Sequence, residues 1–445
     1  MKVKAHKSSL SGRITVPGSK SHTIRALILA AMAEGTSHIS NPLPSNDCLS
    51  TVEAIKKVGA DADLSEGLWT VKGAGKNLCI PKGAVDAGNS GSLMYFLSPV
   101  LSTLEGECTF TGDESLCTRP VGHLLDALCQ LGANARSLNG NGCSPFSFCG
   151  PIDVNRTLRT DGRLSQYISG FMMAASRLNG TLKIELSDPK ETPYLTMTKL
   201  WLDSVGVSCQ ISDDFKHISV DGSVQIKAFD RAVPSDWEGV AFPLIAALIS
   251  KSSIVIENID GSGSQGDDKI VEVLKNAGAD IVWNKSDSTL TVNGGKRLCG
   301  SQTVKISDFP DAICALSVIA CFIEGTTIFT DVEICRKKET DRIKAMKAEL
   351  TRLGADVEEG DDCLIIRGHS PILEDGSDNP EFILHGGEVQ TYKDHRIVMS
   401  LSCLALGLKA GEELIVNDVQ WCNITFPHFF EVMNKIGADF IVLEN

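Results

Sequence analysis

Apolar positions recur along this chain at helical spacing in two styles. In the first they mark one face: Val52, Ile55 and Val58; Leu124, Leu128 and Leu131; Ile270, Val273 and Leu274; Phe430, Met433 and Ile436. That stripe predicts helices lying on a surface. In the second style apolar residues cover every face, over residues 26–31, 93–97, 168–173, 242–247, 315–320 and 397–401. A helix apolar all round belongs inside a protein or a membrane, and none of these approaches the ~20 apolar residues of a membrane span. Most are followed by a glycine and a β-rich run, such as Gly35-Thr36-Ser37-His38-Ile39-Ser40 or Gly325-Thr326-Thr327-Ile328-Phe329. The pattern predicts strands around a buried helix, then a surface helix, in βαβαββ order.

The surface helices share one ending. It reads Val58-Gly59-Ala60-Asp61, Leu131-Gly132-Ala133-Asn134, Val205-Gly206-Val207-Ser208, Ala277-Gly278-Ala279-Asp280, Leu353-Gly354-Ala355-Asp356 and Ile436-Gly437-Ala438-Asp439. Glycine just past a helix takes the left-handed conformation without a Cβ penalty. Copies roughly 70 to 80 residues apart tile the chain, the mark of a tandem supersecondary repeat. Six copies predict six repeats, three in each of two domains, with the buried helices inside a ring of sheets. The crossing falls near Val233-Pro234, which gives one domain of residues 19–233 and another of residues 1–18 with 234–445.

Composition adjusts this picture little. The 445 residues exceed one ordinary core. The net charge of −14 speaks against bulk nucleic-acid binding. The fifteen cysteines form no C-x-x-C pair and sit mostly in apolar runs, which points to a reduced, cytoplasmic setting. Neither a signal peptide nor a membrane anchor is expected.

The starts of the buried helices carry the candidate chemistry. They are Gly18-Ser19-Lys20-Ser21-His22, Gly88-Asn89-Ser90-Gly91-Ser92, Gly162-Arg163-Leu164-Ser165-Gln166, Ser235-Asp236-Trp237-Glu238, Asp308-Phe309-Pro310-Asp311 and Tyr392-Lys393-Asp394-His395-Arg396. Helix N-termini offer free N–H groups and partial positive charge. With Lys20, Arg25 and Arg396 beside them, equivalent termini facing one cleft would trap a small, multiply charged anion.

Four motifs then carry a family resemblance. They are Val16-Pro17-Gly18-Ser19-Lys20-Ser21 with Arg25; Gly112-Asp113-Glu114-Ser115-Leu116 with Arg119-Pro120; Lys338-Glu339-Thr340-Asp341-Arg342; and Tyr392 with Asp394-His395-Arg396. In order and spacing they resemble the 5-enolpyruvylshikimate-3-phosphate synthases of the enolpyruvyl transferase family, over essentially the full chain. The other branch, which acts on UDP-N-acetylglucosamine, has a different first motif and a cysteine loop not found here.

The resemblance implies an inside-out α/β barrel fold of two domains, each of three βαβαββ units with buried apolar helices, closing on substrate. It implies transfer of the enolpyruvyl group of phosphoenolpyruvate to the 5-hydroxyl of shikimate 3-phosphate, with release of phosphate, in the shikimate pathway. No metal and no organic cofactor are implied, and the expected partners are those two small molecules, with the chain a monomer. Matching the family residue by residue, Asp311 and Glu339 are the acid–base pair, with Lys20 and His395 beside them. Phosphoenolpyruvate falls to Lys20, Asn89, Gly91, Arg119, Gln166, Arg342 and Arg396. The acceptor falls to Lys20, Ser21, Arg25, Ser165, Gln166, Tyr194, Asp311 and Lys338.

The chain also departs from the family pattern. Tyr95 replaces an arginine, Leu164 the first of two serines, Glu191 a serine, Ile424 a lysine and Ile334 a polar residue. A carboxylate at Glu191 would repel the acceptor's phosphate unless it turns away or meets a cation. Arg163 is either that cation or a phosphate ligand itself. A different hydroxylated acceptor and a non-catalytic relative therefore stay open as alternatives. The RNA 3′-phosphate cyclases, which share the βαβαββ unit, are disfavoured by charge and motifs.

Overall fold

The computed structural model describes residues 1–222 and 224–443. It divides into two compact units. One is continuous, Gly18–Pro234, and is inserted in the other, Met1–Pro17 with Ser235–Asn445. Each has its own apolar core.

The all-round apolar segments form α1 (Lys20–Met32), α3 (Gly91–Leu101), α5 (Ser165–Ala175), α7 (Trp237–Ile249), α9 (Ile313–Ala320) and α11 (His395–Ala405). Nearly every residue of these six is buried. The one-faced segments form α2 (Asn46–Lys57), α4 (Gly122–Gln130), α6 (Thr192–Ser204), α8 (Ile270–Asn276), α10 (Arg342–Arg352) and α12 (Phe429–Lys435). In α2, for example, Cys48, Val52 and Ile55 are buried while the lysines face out.

Six four-stranded sheets lie beside these helices, three in each unit. A representative repeat runs Thr157–Thr160, α5, Thr181–Leu186, α6, Cys209–Ile211, His217–Asp221. The first two strands are parallel, with Thr157 opposite Lys183; His217–Asp221 then pairs antiparallel, and Cys209–Ile211 takes the edge. Alternate residues of Thr181–Leu186 are buried, as a sheet covered on one face requires. Three repeats borrow a strand. Asp230–Ala232 supplies the first strand beside Thr36–Ser40, and Ser11–Thr15 does the same beside Ser253–Glu257. Lys2–His6 fits antiparallel between Glu413–Asn417 and Asp439–Leu443.

The six shared endings are six instances of one hydrogen-bonded cap. Gly59, Gly132, Gly206, Gly278, Gly354 and Gly437 all have positive φ. In each, the next residue's N–H reaches back to the helix: Ala60 to Ile55 at 3.0 Å, Ala133 to Leu128 at 3.0 Å, Ala438 to Met433 at 3.1 Å. This is the Schellman arrangement, which satisfies the last carbonyls and starts the next strand.

A second glycine repeats for a different reason. Gly73, Gly150, Gly222, Gly294 and Gly368 each end or directly follow the last strand of a repeat and press against carbonyl oxygens at or just past the end of its buried helix. For Gly73 those are the carbonyls of Ala30 and Ala33, well inside van der Waals contact of a would-be Cβ. Backbone atoms cannot move aside as a side-chain tip can. Gly73→Ala is therefore expected to destabilise the inserted unit by about 1–3 kcal/mol, the usual scale of overpacking, read as a lower urea midpoint with an unchanged slope.

Among the described residues no helix is long and apolar enough to cross a membrane.

Candidate active site

Each compact unit gathers charged side chains near the N-termini of its helices. In the split unit the centre is Arg342, the first residue of α10, with a side chain 0% exposed. Asp341, the N-cap, fixes that helix start by accepting from the Lys344 N–H at 3.0 Å. The Arg342 fork then meets three carboxylates. Nε donates to Asp394 at 2.8 Å, Nη2 to Glu339 at 2.7 Å, and Nη1 to Asp311. Asp394 is itself the N-cap of α11, accepting from the Arg396 N–H at 2.9 Å. One carboxylate thus ends a helix and orients a guanidinium.

Asp311 sits in the turn Pro310–Ala312 that leads into α9. Besides Arg342 it takes Arg396 Nε at 3.2 Å and Lys338 Nζ at 3.4 Å. Burial pushes its pKa up, but Lys338 and Arg342 outweigh that and hold it below the usual carboxylate range. It stays ionised at neutral pH. The Arg342 guanidinium shows the converse. Burial pulls it down, while Asp394, Glu339 and Asp311 carry it above its ordinary value. Arg396 also donates to Glu238 on α7. Asp267, buried in the turn Gly266–Lys269, is pushed up by burial and then by Asp311 and Asp236. His395 is fully buried at the first position of α11, Nδ1 3.9 Å from Asp394. Asp311, Lys338, Glu339, Arg342 and Arg396 thus lie in one cluster.

In the inserted unit the expected residues fall at three helix starts. Lys20 opens α1 and pairs with Asp47 at 3.2 Å. Arg119 donates from Nη2 to Asn89 Oδ1 at 2.8 Å, and Asn89 donates in turn to Asp113 at 2.8 Å. Gly91 begins α3 beside them; a Cβ there would lie 3.5 Å from Arg119 Nη1. Arg119 Nε is buried without a hydrogen-bond partner among the described residues. Gln166 links α5 to α3 through Ser92 Oγ at 3.1 Å. Arg25 is placed deeper. It is buried under the ring of Phe96 and donates to Thr198 Oγ1 at 2.8 Å and to the carbonyls of Ser21 at 3.0 Å and Tyr194 at 3.3 Å. Those contacts bind Ser21 on α1 to Tyr194 on α6. Burial pulls the Arg25 pKa down and Tyr194 pulls it partly back.

The departures from the family pattern find local explanations. Tyr95 is buried and donates to the Pro120 carbonyl at 3.0 Å, steadying the residue after Arg119. Ile334 and Leu164 pack on the cores, and Ile424 is buried. Glu191 is buried too and accepts from Ser165. Arg163 pairs with Asp188 at 2.9 Å.

Sequence reasoning missed the counter-charges, Asp394 on Arg342, Glu238 on Arg396 and Asp47 on Lys20, and the acceptor Asp113 on Asn89. Asp394 and Glu238 stand in the helix starts Tyr392-Lys393-Asp394-His395-Arg396 and Ser235-Asp236-Trp237-Glu238, where nothing local names their partners.

Known proteins resemble this chain over its whole length. Residues 4–433 match the family model of EPSP synthase (3-phosphoshikimate 1-carboxyvinyltransferase). A 3-phosphoshikimate 1-carboxyvinyltransferase of Ruminiclostridium cellulolyticum is 35% identical over 438 residues, 98% of this chain and 99% of the relative. One of Acetivibrio thermocellus is 34% identical over 444 residues, covering 100% of both. The solved EPSP synthase of Acinetobacter baumannii superposes with a TM-score of 0.81 at 27% identity, over 100% of each chain. A six-repeat α/β fold, charged clusters at its helix starts and full-length similarity lead to one conclusion: the chain belongs to the EPSP synthase family.

Proposed function

We propose that this chain transfers the enolpyruvyl group of phosphoenolpyruvate to the 5-hydroxyl of shikimate 3-phosphate and releases phosphate, the activity named for its relatives. The observation that carries the reading is Arg342 holding Asp311 and Glu339 together, with Arg396 on the same Asp311. Two carboxylates and two guanidiniums at helix starts suit the chemistry. Addition needs a proton delivered to the methylene carbon of phosphoenolpyruvate and another removed from the acceptor hydroxyl. Elimination of phosphate then takes a proton from the new methyl group. Asp311 and Glu339 serve as the pair that moves these protons. Arg342 and Arg396 take anionic groups of phosphoenolpyruvate, as bidentate forks do.

The inserted unit supplies Lys20 and Arg119 to phosphoenolpyruvate, with Asn89, Gly91 and Gln166 around them. Ser21, Ser165 and Tyr194 serve the acceptor, with Arg25 fixing Ser21 and Tyr194. The free Nε–H of Arg119 supports its role, since a buried donor without an acceptor is suited to a ligand.

The reaction is tested by phosphate release from phosphoenolpyruvate with shikimate 3-phosphate, beside unphosphorylated shikimate and other hydroxylated anions. Release with none of them removes the proposal. Arg119→Ala is expected to raise the phosphoenolpyruvate requirement tens- to thousands-fold, corresponding to about 2–5 kcal/mol for truncating a desolvated charge partner. Its thermal midpoint should move little, because among the described residues the hydrogen bonds of the Arg119 side chain run to Asn89 and Ser115. Unchanged kinetics in that variant would take Arg119 out of the site.

A further inference from the structure

The start of α5 is already occupied by an anion of the protein's own. Ser165, the first residue of that helix, donates to Glu191 Oε2 from its N–H at 3.1 Å and from its hydroxyl at 3.0 Å. Glu191 is 2% exposed, and its backbone is left-handed, φ 51° and ψ 35°. Side chains rarely adopt that conformation, so the surrounding contacts impose it. Those contacts zip two loops together. Ser187 N–H bonds the Thr160 carbonyl at 3.1 Å, Asp188 N–H the Asp161 carbonyl at 2.7 Å, and Lys190 N–H the Gly162 carbonyl at 3.1 Å. Arg163 is drawn to Asp188 in the same pair of loops. The next residue of α5, Gln166, reaches Ser92 at the start of α3. A carboxylate is thus fixed on the donors that a helix N-terminus would offer an incoming anion.

We infer that Glu191 is a specificity-determining residue of the acceptor site, competing with the acceptor's phosphate for the N–H and hydroxyl of Ser165. The inference rests on the proposed reaction and on the assignment of Ser165 to the acceptor. A phosphate arriving at Ser165 must displace Glu191 or lie against its like charge. An acceptor without phosphate meets no such opposition. Glu191 therefore lowers affinity for phosphorylated acceptors and narrows their advantage over unphosphorylated ones.

The test measures binding of shikimate 3-phosphate and of shikimate, by calorimetry, to the full chain and to Glu191→Ser, Glu191→Gln and the double variant Glu191→Ser with Ser165→Ala. Glu191→Ser should bind shikimate 3-phosphate about ten- to a hundredfold more tightly, the scale of hydrogen bonds to a charged group, with shikimate unchanged. The gain should shrink in the double variant, which keeps the N–H of residue 165 but loses its hydroxyl. Glu191→Gln keeps the side chain's size and removes its charge. It should shift affinity the same way by less, so the test stands even if the serine variant folds poorly. Unchanged or weaker binding of shikimate 3-phosphate in both folded variants overturns the inference. Should phosphate release still depend on shikimate 3-phosphate in that case, the proposed reaction survives it. If no version of the protein binds shikimate 3-phosphate while phosphoenolpyruvate still binds, the acceptor assignment falls, and this inference with it.

Discussion

Replacing Glu339 by glutamine is expected to cut turnover by about a hundredfold or more while leaving substrate binding near its original strength, the usual scale for losing general acid–base catalysis. The substitution is isosteric and keeps an oxygen to accept from Arg342 Nη2, now 2.7 Å away. What it removes is the proton-carrying capacity. Arg342 retains Asp311 and Asp394, so the cluster should stay assembled. Single-turnover rates measured beside equilibrium binding separate the two effects. A variant that binds both substrates and still turns over near the original rate would dismiss Glu339 from the mechanism.

Arg342→Ala should be the most destabilising change in the cluster, costing about 3–5 kcal/mol, because it takes the guanidinium from the fully buried Asp394 and leaves Asp311 to Arg396 and Lys338 alone. Asp394 is 0% exposed and Asp311 12% exposed, so water cannot take the guanidinium's place at the first and reaches the second poorly. The loss would appear as a lower denaturant midpoint. Arg342→Lys, which keeps charge but not the three-way fork, should recover part of the stability and little of the activity. An alanine variant as stable as the parent would mean that the carboxylates find other partners.

The parts of this molecule legible in the sequence are those with local causes. A Schellman cap needs only a helix, a glycine and a small following residue, so six of them spelled out six repeats. The buried helices were legible because apolarity on every face has few explanations. Gly73 and its four equivalents were not. Each looks like any strand-end glycine, and its reason is a carbonyl some forty residues earlier or more, brought close by the completed sheet. The site divides the same way. Glu339 and Arg342 sit three residues apart and read as a pair. Glu238 and Arg396 are 158 residues apart, and nothing in either neighbourhood announces the other. At Glu191 the charge problem was visible in the sequence, but its solution required two loops placed side by side.

The strand Lys2–His6 sets a timetable for making this protein. Lys4 pairs with Glu413, 409 residues later in the chain. At about 5–20 residues per second of synthesis, that strand waits roughly 20–80 s for its neighbour. The inserted unit has no such debt: its strands run from Thr36–Ser40 to Asp230–Ala232 and are all present once Pro234 has emerged. It should fold while the split unit is still missing strands. Nascent chains arrested between residues 270 and 400 should accordingly show a protease-resistant core of residues 18–234, with Lys2–His6 still open to cleavage until the strands Glu413–Asn417 and Asp439–Leu443 close around it.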